Sequence, residues 1–276
     1  MALQQLICYR YCQAQHRNGD GYMTELHAMA FDHDGVELVG QMAVPEKPGP
    51  HPAVMVMHTA LGLGEVVRER VRRLAQLGYV AVATDMYGGG VSYHTDRKSG
   101  GTAMMALLSP PQRLRARAAA WYEQLKARPE VDARSVAAIG FCFGGQCVLE
   151  LARSGADVKA VVSFHGLLST SMPAVPGAIH GQVAVYTGAK DPYAPADHVM
   201  ALQQEMTAAG AHFQIMVFSE ALHGFTDPNS DSPGMDGIAY DPIADRVSWA
   251  GAIALLEATI GRRANGPGPS LNQRVI

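Results

Sequence analysis

The chain is poor in charge. Only 17% of its 276 residues are Asp, Glu, Lys or Arg, and 22 basic side chains against 25 acidic ones leave a formal net charge of −3. That balance, with no basic run interleaved with aromatics, gives no footprint for nucleic acid. No stretch of about 20 apolar residues occurs, so no membrane-spanning helix is expected. Only four cysteines are present, too few for a disulfide framework at this length. Cys8, Cys12, Cys142 and Cys147 therefore read as thiols in a reducing compartment. There is no H-E-x-x-H and no Cys/His cluster at ligand spacing, so neither a metal nor another cofactor is expected. The first 22 residues lack the continuous apolar core and A-x-A site of a signal peptide, and a cytoplasmic location is expected.

What the chain does have is a large apolar content, 48%, enough for one sizeable core. Residues 1–22 carry no clear period and read as an extension, weakly packed or foreign to the domain. Residues 23–262 read as a single domain. Residues 263–276, rich in Gly, Pro and polar side chains, read as a flexible tail. Within the domain, strand and helix patterns alternate. HAMAFDH and VELVGQMAV form a strand pair turned at His33–Asp34–Gly35. AVMVMH, YVAVATD, SVAAIG, KAVVSFHG, QVAVYTGAKD and FQIMVFSEA are mostly continuous apolar runs, as strands covered on both faces require. EVVRERVRRLAQLG, SPPQRLRARAAAWYEQLKARP, GGQCVLELARSG, PADHVMALQQEMTAAG and the segment near 242–261 have helical character. The alternation predicts an α/β fold: a mostly parallel sheet of about eight strands with helices on both faces.

Ligands of open parallel sheets bind beyond the carboxyl ends of the strands. The polar residues there are His58 and Thr59, Asp85, Cys142, His165, Asp191 and His223. Cys142 lies in AIGFCFGGQC, a G-x-C-x-G pattern where many hydrolases carry G-x-S-x-G on a strand-to-helix elbow. A thiol there sits at a helix N-terminus, which favours the thiolate. The other reading is a small buried cysteine on a glycine-rich turn, which is the reading taken for Cys147. His223, in EALHGFTDP, is placed to act as base and acid, and Asp191, in TGAKDPYAP, to orient it, although Asp-Pro also simply starts turns. Nucleophile, acid, histidine is the chain order of α/β-hydrolases. Asp197 and Asp227 are weaker acid candidates. His58 and His165 read as structural or pocket-lining, and Asp85 as a loop anchor.

GFCFGG, GAKDPYAP and LHGFTDP together resemble the motifs of the dienelactone hydrolase family, the cysteine branch of the α/β-hydrolase fold. HTALGL, LGYVAVATDMYGG and VVSFHG match further blocks in the family's order, from about residue 24 to about 260. The resemblance implies Cys142 as nucleophile, Asp191 as triad acid, His223 as base, and an oxyanion hole made by the backbone N–H groups of Phe143 and Ala60. Such donors contribute about 3–4 kcal/mol each to the transition state. Three positions depart from the pattern. Thr59 stands where the family usually has a glutamate that contacts the resting thiol. Gly89 and Asp227 stand where arginines hold the carboxylate of dienelactone. With that cation clamp missing, the expected substrate is a small neutral activated ester or lactone. The resulting thiolate nucleophile is also suited to phosphotriesters. The expected pocket is apolar, with walls at Thr59, Leu61, His58, Tyr87, Phe143, segment 90–108 and loop 167–180. Its partner is a small molecule, with no nucleic acid or membrane, and the protein is a monomer or homodimer. Acyl transfer on the same three residues, or a ligand-binding or thiol-sensing role, are the alternatives.

Overall fold

A computed structural model of the protein describes residues 24–230 and 236–261. Cys8, Cys12, the N-terminal extension and the C-terminal tail of the sequence reading lie outside them. The described residues form eight strands: β1 (His27–His33), β2 (Val36–Ala43), β3 (His51–Met57), β4 (Val80–Thr84), β5 (Val131–Phe141), β6 (Ala160–Phe164), β7 (Gln182–Gly188) and β8 (His212–Phe218). Six helices accompany them: α1 (Glu65–Gln76), α2 (Arg97–Leu108), α3 (Pro111–Lys126), α4 (Phe143–Arg153), α5 (Ala196–Ala208) and α6 (Pro242–Thr259).

All eight strands belong to one sheet in the order β1-β2-β4-β3-β5-β6-β7-β8. β1 and β2 are a hairpin, β2 runs antiparallel to β4, and every pair from β4 to β8 is parallel. The side chains of β3 show why its apolar run is continuous. Met55 and Met57 enter the core shared with Trp121, Leu125, Val148 and Leu151 of α3 and α4. Val54 and Val56 enter the opposite core with Val71 and Leu74 of α1 and Trp249 and Ile253 of α6. Successive strand residues point to opposite faces, so a strand covered on both sides must be apolar throughout.

Helix starts follow ordinary chemistry. Pro111 opens α3, where its missing N–H has no partner to lose. The Asp241 carboxylate caps α6 by accepting from Ile243 and Ala244 N–H, and Asp96 caps α2 by accepting from Ser99 N–H. α2 was not expected as a helix. Its sequence RKSGGTAMMALL holds two adjacent glycines and buries only Gly100 and Leu107, so it has little amphipathic period to read. Gly100 is where it comes down on the sheet end, and a Cβ there would lie 2.8 Å from the Ala60 carbonyl oxygen. β3 and β5 start earlier than their apolar runs, at His51 and Val131, which pair with each other across a register shift. Among the described residues no helix is long and apolar enough to cross a membrane.

Candidate active site

β5 delivers Cys142 directly onto the start of α4. Cys142 has φ 55° and ψ −116°, a region L-residues enter at a cost of about 1–3 kcal/mol unless the surroundings impose it. The surroundings here are backbone. A Cβ on Gly140 would lie 2.0 Å from the Gly144 carbonyl oxygen, and one on Gly144 would lie 2.2 Å from that of Met57. Only glycine fits at either position, so the chain turns sharply and the cysteine side chain stands beyond the sheet end. Cys142 N–H is held by the Phe164 carbonyl at 3.0 Å, which ties the turn to β6.

The loops after β7 and β8 bring two further groups to this point. Asp191 and His223 are 2% and 5% exposed, and His223 Nδ1 meets Asp191 Oδ2 at 2.9 Å. Asp191 Oδ1 is itself fixed by Tyr193 N–H at 2.8 Å. His223 is clipped through its backbone: its N–H donates to Gly237 O, and its carbonyl accepts from Ala239 N–H. With Nδ1 committed to Asp191, Nε2 is the nitrogen left for the Cys142 sulfur, with which His223 is hydrogen-bonded. The N–H groups of Ala60 and Phe143 also point at that sulfur.

These neighbours decide the charges. Burial pushes the Cys142 thiol up, but the charge and hydrogen bond of His223 and the two N–H groups pull harder, leaving it below the usual thiol value. Burial pulls His223 down, and the adjacent sulfur and Asp191 overcome it, lifting His223 to about 10. The two shifts run in opposite directions and both favour the charged pair, thiolate and imidazolium, over the neutral one. Cys147 behaves oppositely. Burial, then the charges of Glu150 and Cys142, push it well above the ordinary range, which makes it an inert core thiol.

The loop presenting Ala60 N–H is braced on every side. Thr59 Oγ1 accepts from Leu61 N–H at 3.2 Å, and Tyr87 Oη donates to the Ala60 carbonyl at 3.0 Å. His58 Nε2 accepts from Met86 N–H at 3.1 Å, so its proton is on Nδ1, which donates to the Thr59 carbonyl at 2.6 Å. Burial lowers the His58 pKa, in keeping with a neutral ring. Asp85 is the anchor of the next loop: its two oxygens accept from the N–H groups of Val39, Tyr87, Gly88 and Gly90.

A cavity of about 270 Å³ opens above Cys142 and is mostly apolar. Thr59, Ala60, Leu61, Cys142 and His223 line it, with Met104 and Arg97 of α2. The pocket expectation needs correcting at three residues. His58, Tyr87 and Phe143 do not line the cavity; they form a layer behind its wall, with the Tyr87 ring stacked on Phe143 at 5.7 Å. The polar groups of His58 and Tyr87 are taken up by Thr59, Met86 and Ala60, and the Phe143 ring is fully buried, so all three side chains face the protein. Of loop 167–180, only Leu167 reaches the cavity. Tyr193, Thr226 and Ser230 line it too and were not singled out from the sequence, although Tyr193 stands only two residues from Asp191. Gly89 lies away from the cavity, its N–H on Glu37 O, whereas Asp227 is on the wall. Arg97 also lines the cavity, so beside Cys142 and His223 the lining includes one basic and one acidic residue, Arg97 and Asp227. Among the described residues no group of three or more His, Cys, Asp or Glu side chains is placed to hold a metal ion.

An elbow of this kind, on an eight-stranded and mostly parallel sheet with helices on both faces, defines an α/β-hydrolase fold. The model of the dienelactone hydrolase family matches residues 38–260, and the chain belongs to that family. Among solved structures, m3DLH is 38% identical, with a TM-score of 0.80 over 86% of this chain and 98% of its own. A dienelactone hydrolase-like promiscuous phosphotriesterase from metagenomic libraries is 36% identical, with a TM-score of 0.81 over 86% of this chain and 99% of its own. A Yersinia pestis protein provisionally named carboxymethylenebutenolidase is 29% identical over 69% of this chain and 75% of its own. The protein is thus a hydrolase of the dienelactone hydrolase type.

Proposed function

We propose that the protein hydrolyses small, neutral, activated esters or lactones through an acyl intermediate on Cys142. The observation that carries this reading is the single contact chain Asp191–His223–Cys142, with two backbone N–H groups converging on the same sulfur. The thiolate attacks the ester carbonyl, a C–S bond forms, and the carbonyl oxygen takes the negative charge facing Ala60 and Phe143 N–H. Collapse breaks the C–O bond, and the His223 imidazolium gives its proton to the departing alcohol. Water then adds to the thioester while His223 takes its proton. The C–S bond breaks, and the acid leaves with thiolate and imidazolium restored.

The choice of neutral esters rests on the wall. Most of the lining is apolar, and no paired cation clamp of the kind that would hold a carboxylate is among the described lining residues. The test is turnover of aryl esters of graded acyl length by wild type, Cys142→Ala and Cys142→Ser. The reading expects a loss of at least about 10³-fold in both variants. Full activity in Cys142→Ala would remove it, and a product other than the free acid would move it to acyl transfer.

A second activity, on phosphotriesters, is favoured by the 36% identity to a structure named as a promiscuous phosphotriesterase. A thiolate suits an uncharged phosphorus centre as it suits an activated carbonyl. The measurement is hydrolysis of an aryl phosphotriester beside the esterase assay. It should depend on Cys142, and no release of the aryl alcohol would exclude it.

A further inference from the structure

The groups packed around the His223 imidazole differ in exposure. Asp191 holds Nδ1 and the His165 ring meets the imidazole at 5.2 Å, and both residues are buried. The Tyr193 ring meets it at 4.8 Å, with 62° between the planes, yet Tyr193 is 47% exposed. Among the described residues lining the cavity, it is the large hydrophobic side chain left most open. No step of the reaction above uses it. Tyr193 is also locked in register with His223. Its N–H donates to Asp191 Oδ1 at 2.8 Å. Pro192, just before it, packs against Gly237, where a Cβ would lie 2.5 Å from Pro192 Cγ, and the Gly237 carbonyl accepts from His223 N–H at 3.0 Å. Tyrosine has only two side-chain torsions, so such a ring offers a large rigid surface at little entropic cost.

We infer that Tyr193 is the wall of a leaving-group subsite and selects esters of aromatic alcohols. The catalytic groups themselves divide the cavity. The carbonyl oxygen faces the N–H groups of Ala60 and Phe143. The ester oxygen must face His223: when the C–O bond breaks, the bonding pair leaves with that oxygen, and Nε2 gives it a proton. An oxygen in hydrogen-bond reach, about 3 Å from Nε2, carries its first carbon atoms into contact range of a ring centred 4.8 Å from the same imidazole. The acyl chain takes the remaining direction, where Leu61 and Met104 line the cavity and α2 comes down on the Ala60 carbonyl. An aliphatic alcohol finds only apolar area in Tyr193. An aromatic one also meets the ring quadrupole, in offset or edge-on arrangements with centroids about 4.5–7 Å apart. Aromatic alcohols are also acidic enough to leave readily, which is the activation the reaction needs.

The inference rests on the acyl-cysteine reading above, and the experiment separates the two. Phenyl acetate and hexafluoroisopropyl acetate carry alcohols of similar acidity and bulk, one flat and aromatic, the other neither. Both leave the same acetyl group on Cys142. For each ester, kcat/KM reports the steps up to loss of the alcohol, in wild type, Tyr193→Leu and Tyr193→Phe. The ratio of phenyl to hexafluoroisopropyl ester should fall about tenfold in Tyr193→Leu. It should stay within about twofold of wild type in Tyr193→Phe, which keeps the ring. The backbone bond to Asp191 survives both substitutions. An unchanged ratio in Tyr193→Leu would overturn the subsite, including an equal loss on both esters, which is what a mere support for His223 would give. So would a tenfold fall in Tyr193→Phe, which would assign the effect to the hydroxyl. Acid-quenched mass spectrometry of wild type follows the acetyl group. Turnover of both esters with no acetyl-Cys142 would overturn the acyl-cysteine reading itself, whatever the ratio.

Discussion

His223 Nδ1 lies 2.9 Å from Asp191 Oδ2, and both residues are buried. The pair fixes the orientation of the imidazole ring and leaves the other nitrogen for Cys142. Asp191→Asn keeps the size and can still accept Tyr193 N–H, but it loses the charge and can present an N–H to Nδ1. The expected result is a fold-neutral variant with kcat lowered about 10³–10⁴-fold on aryl esters. Circular dichroism beside the assay checks both halves, and a loss under about tenfold would show that the carboxylate only shapes a turn.

The charges on the pair set the pH profile. Cys142 is depressed, so the thiolate persists below the usual thiol range and is lost only on further acidification. His223 is raised to about 10, so the proton needed by the leaving alcohol is lost as pH rises through that value. The rate should therefore fall on the acid side only below the ordinary thiol range, and fall on the alkaline side near 10. In Cys142→Ala the nearby sulfur is gone, and His223 should titrate below its wild-type value when followed by NMR. An unchanged His223 titration would contradict the ion pair.

Thr59 tests the oxyanion loop. Its hydroxyl accepts from Leu61 N–H and lies next to Ala60, whose N–H faces the sulfur. Thr59→Val removes that brace, with a cost of about 0.5–1.5 kcal/mol on the barrier, or up to about tenfold in kcat. Thr59→Glu places a carboxylate beside the thiolate and should shift the acid limb of the profile or lower the rate. An unchanged profile in Thr59→Glu would mean that a side chain here does not reach the thiol.

Much of this site was legible in the sequence because it hangs on strand ends. Each apolar run stops where the sheet stops, so the polar residues after β3, β5, β7 and β8 had to gather at one edge. Chain order then grouped Cys142, Asp191 and His223. What the pattern does not encode is direction. His58 and Tyr87 follow strands as Cys142 does, yet both turn inward to brace the loop at Ala60. α2 stayed hidden because Gly100 and Gly101 interrupt any periodic stripe, and its position over the cavity is set by contact with Ala60 rather than by its own propensity. Ser230 and Thr226 follow His223 in a loop with no period, and only the folded chain shows that they share its wall.

The elbow carries its own prediction. Gly144→Ala would put a methyl 2.2 Å from the Met57 carbonyl oxygen, and β3 and α4 cannot both stay in place. The variant should be destabilised by more than about 3 kcal/mol in denaturant unfolding or fail to accumulate as soluble protein. Wild-type stability would mean that the turn at Cys142 is looser than its geometry.

The central claim is that Cys142 carries the acyl group. Wild-type protein mixed with an aryl ester, quenched in acid and digested should yield the Cys142 peptide heavier by the acyl mass. Cys142→Ala should yield no adduct and no turnover above about one part in 10³. Ester hydrolysis at the wild-type rate by Cys142→Ala, with no acylated peptide from either protein, would contradict the account.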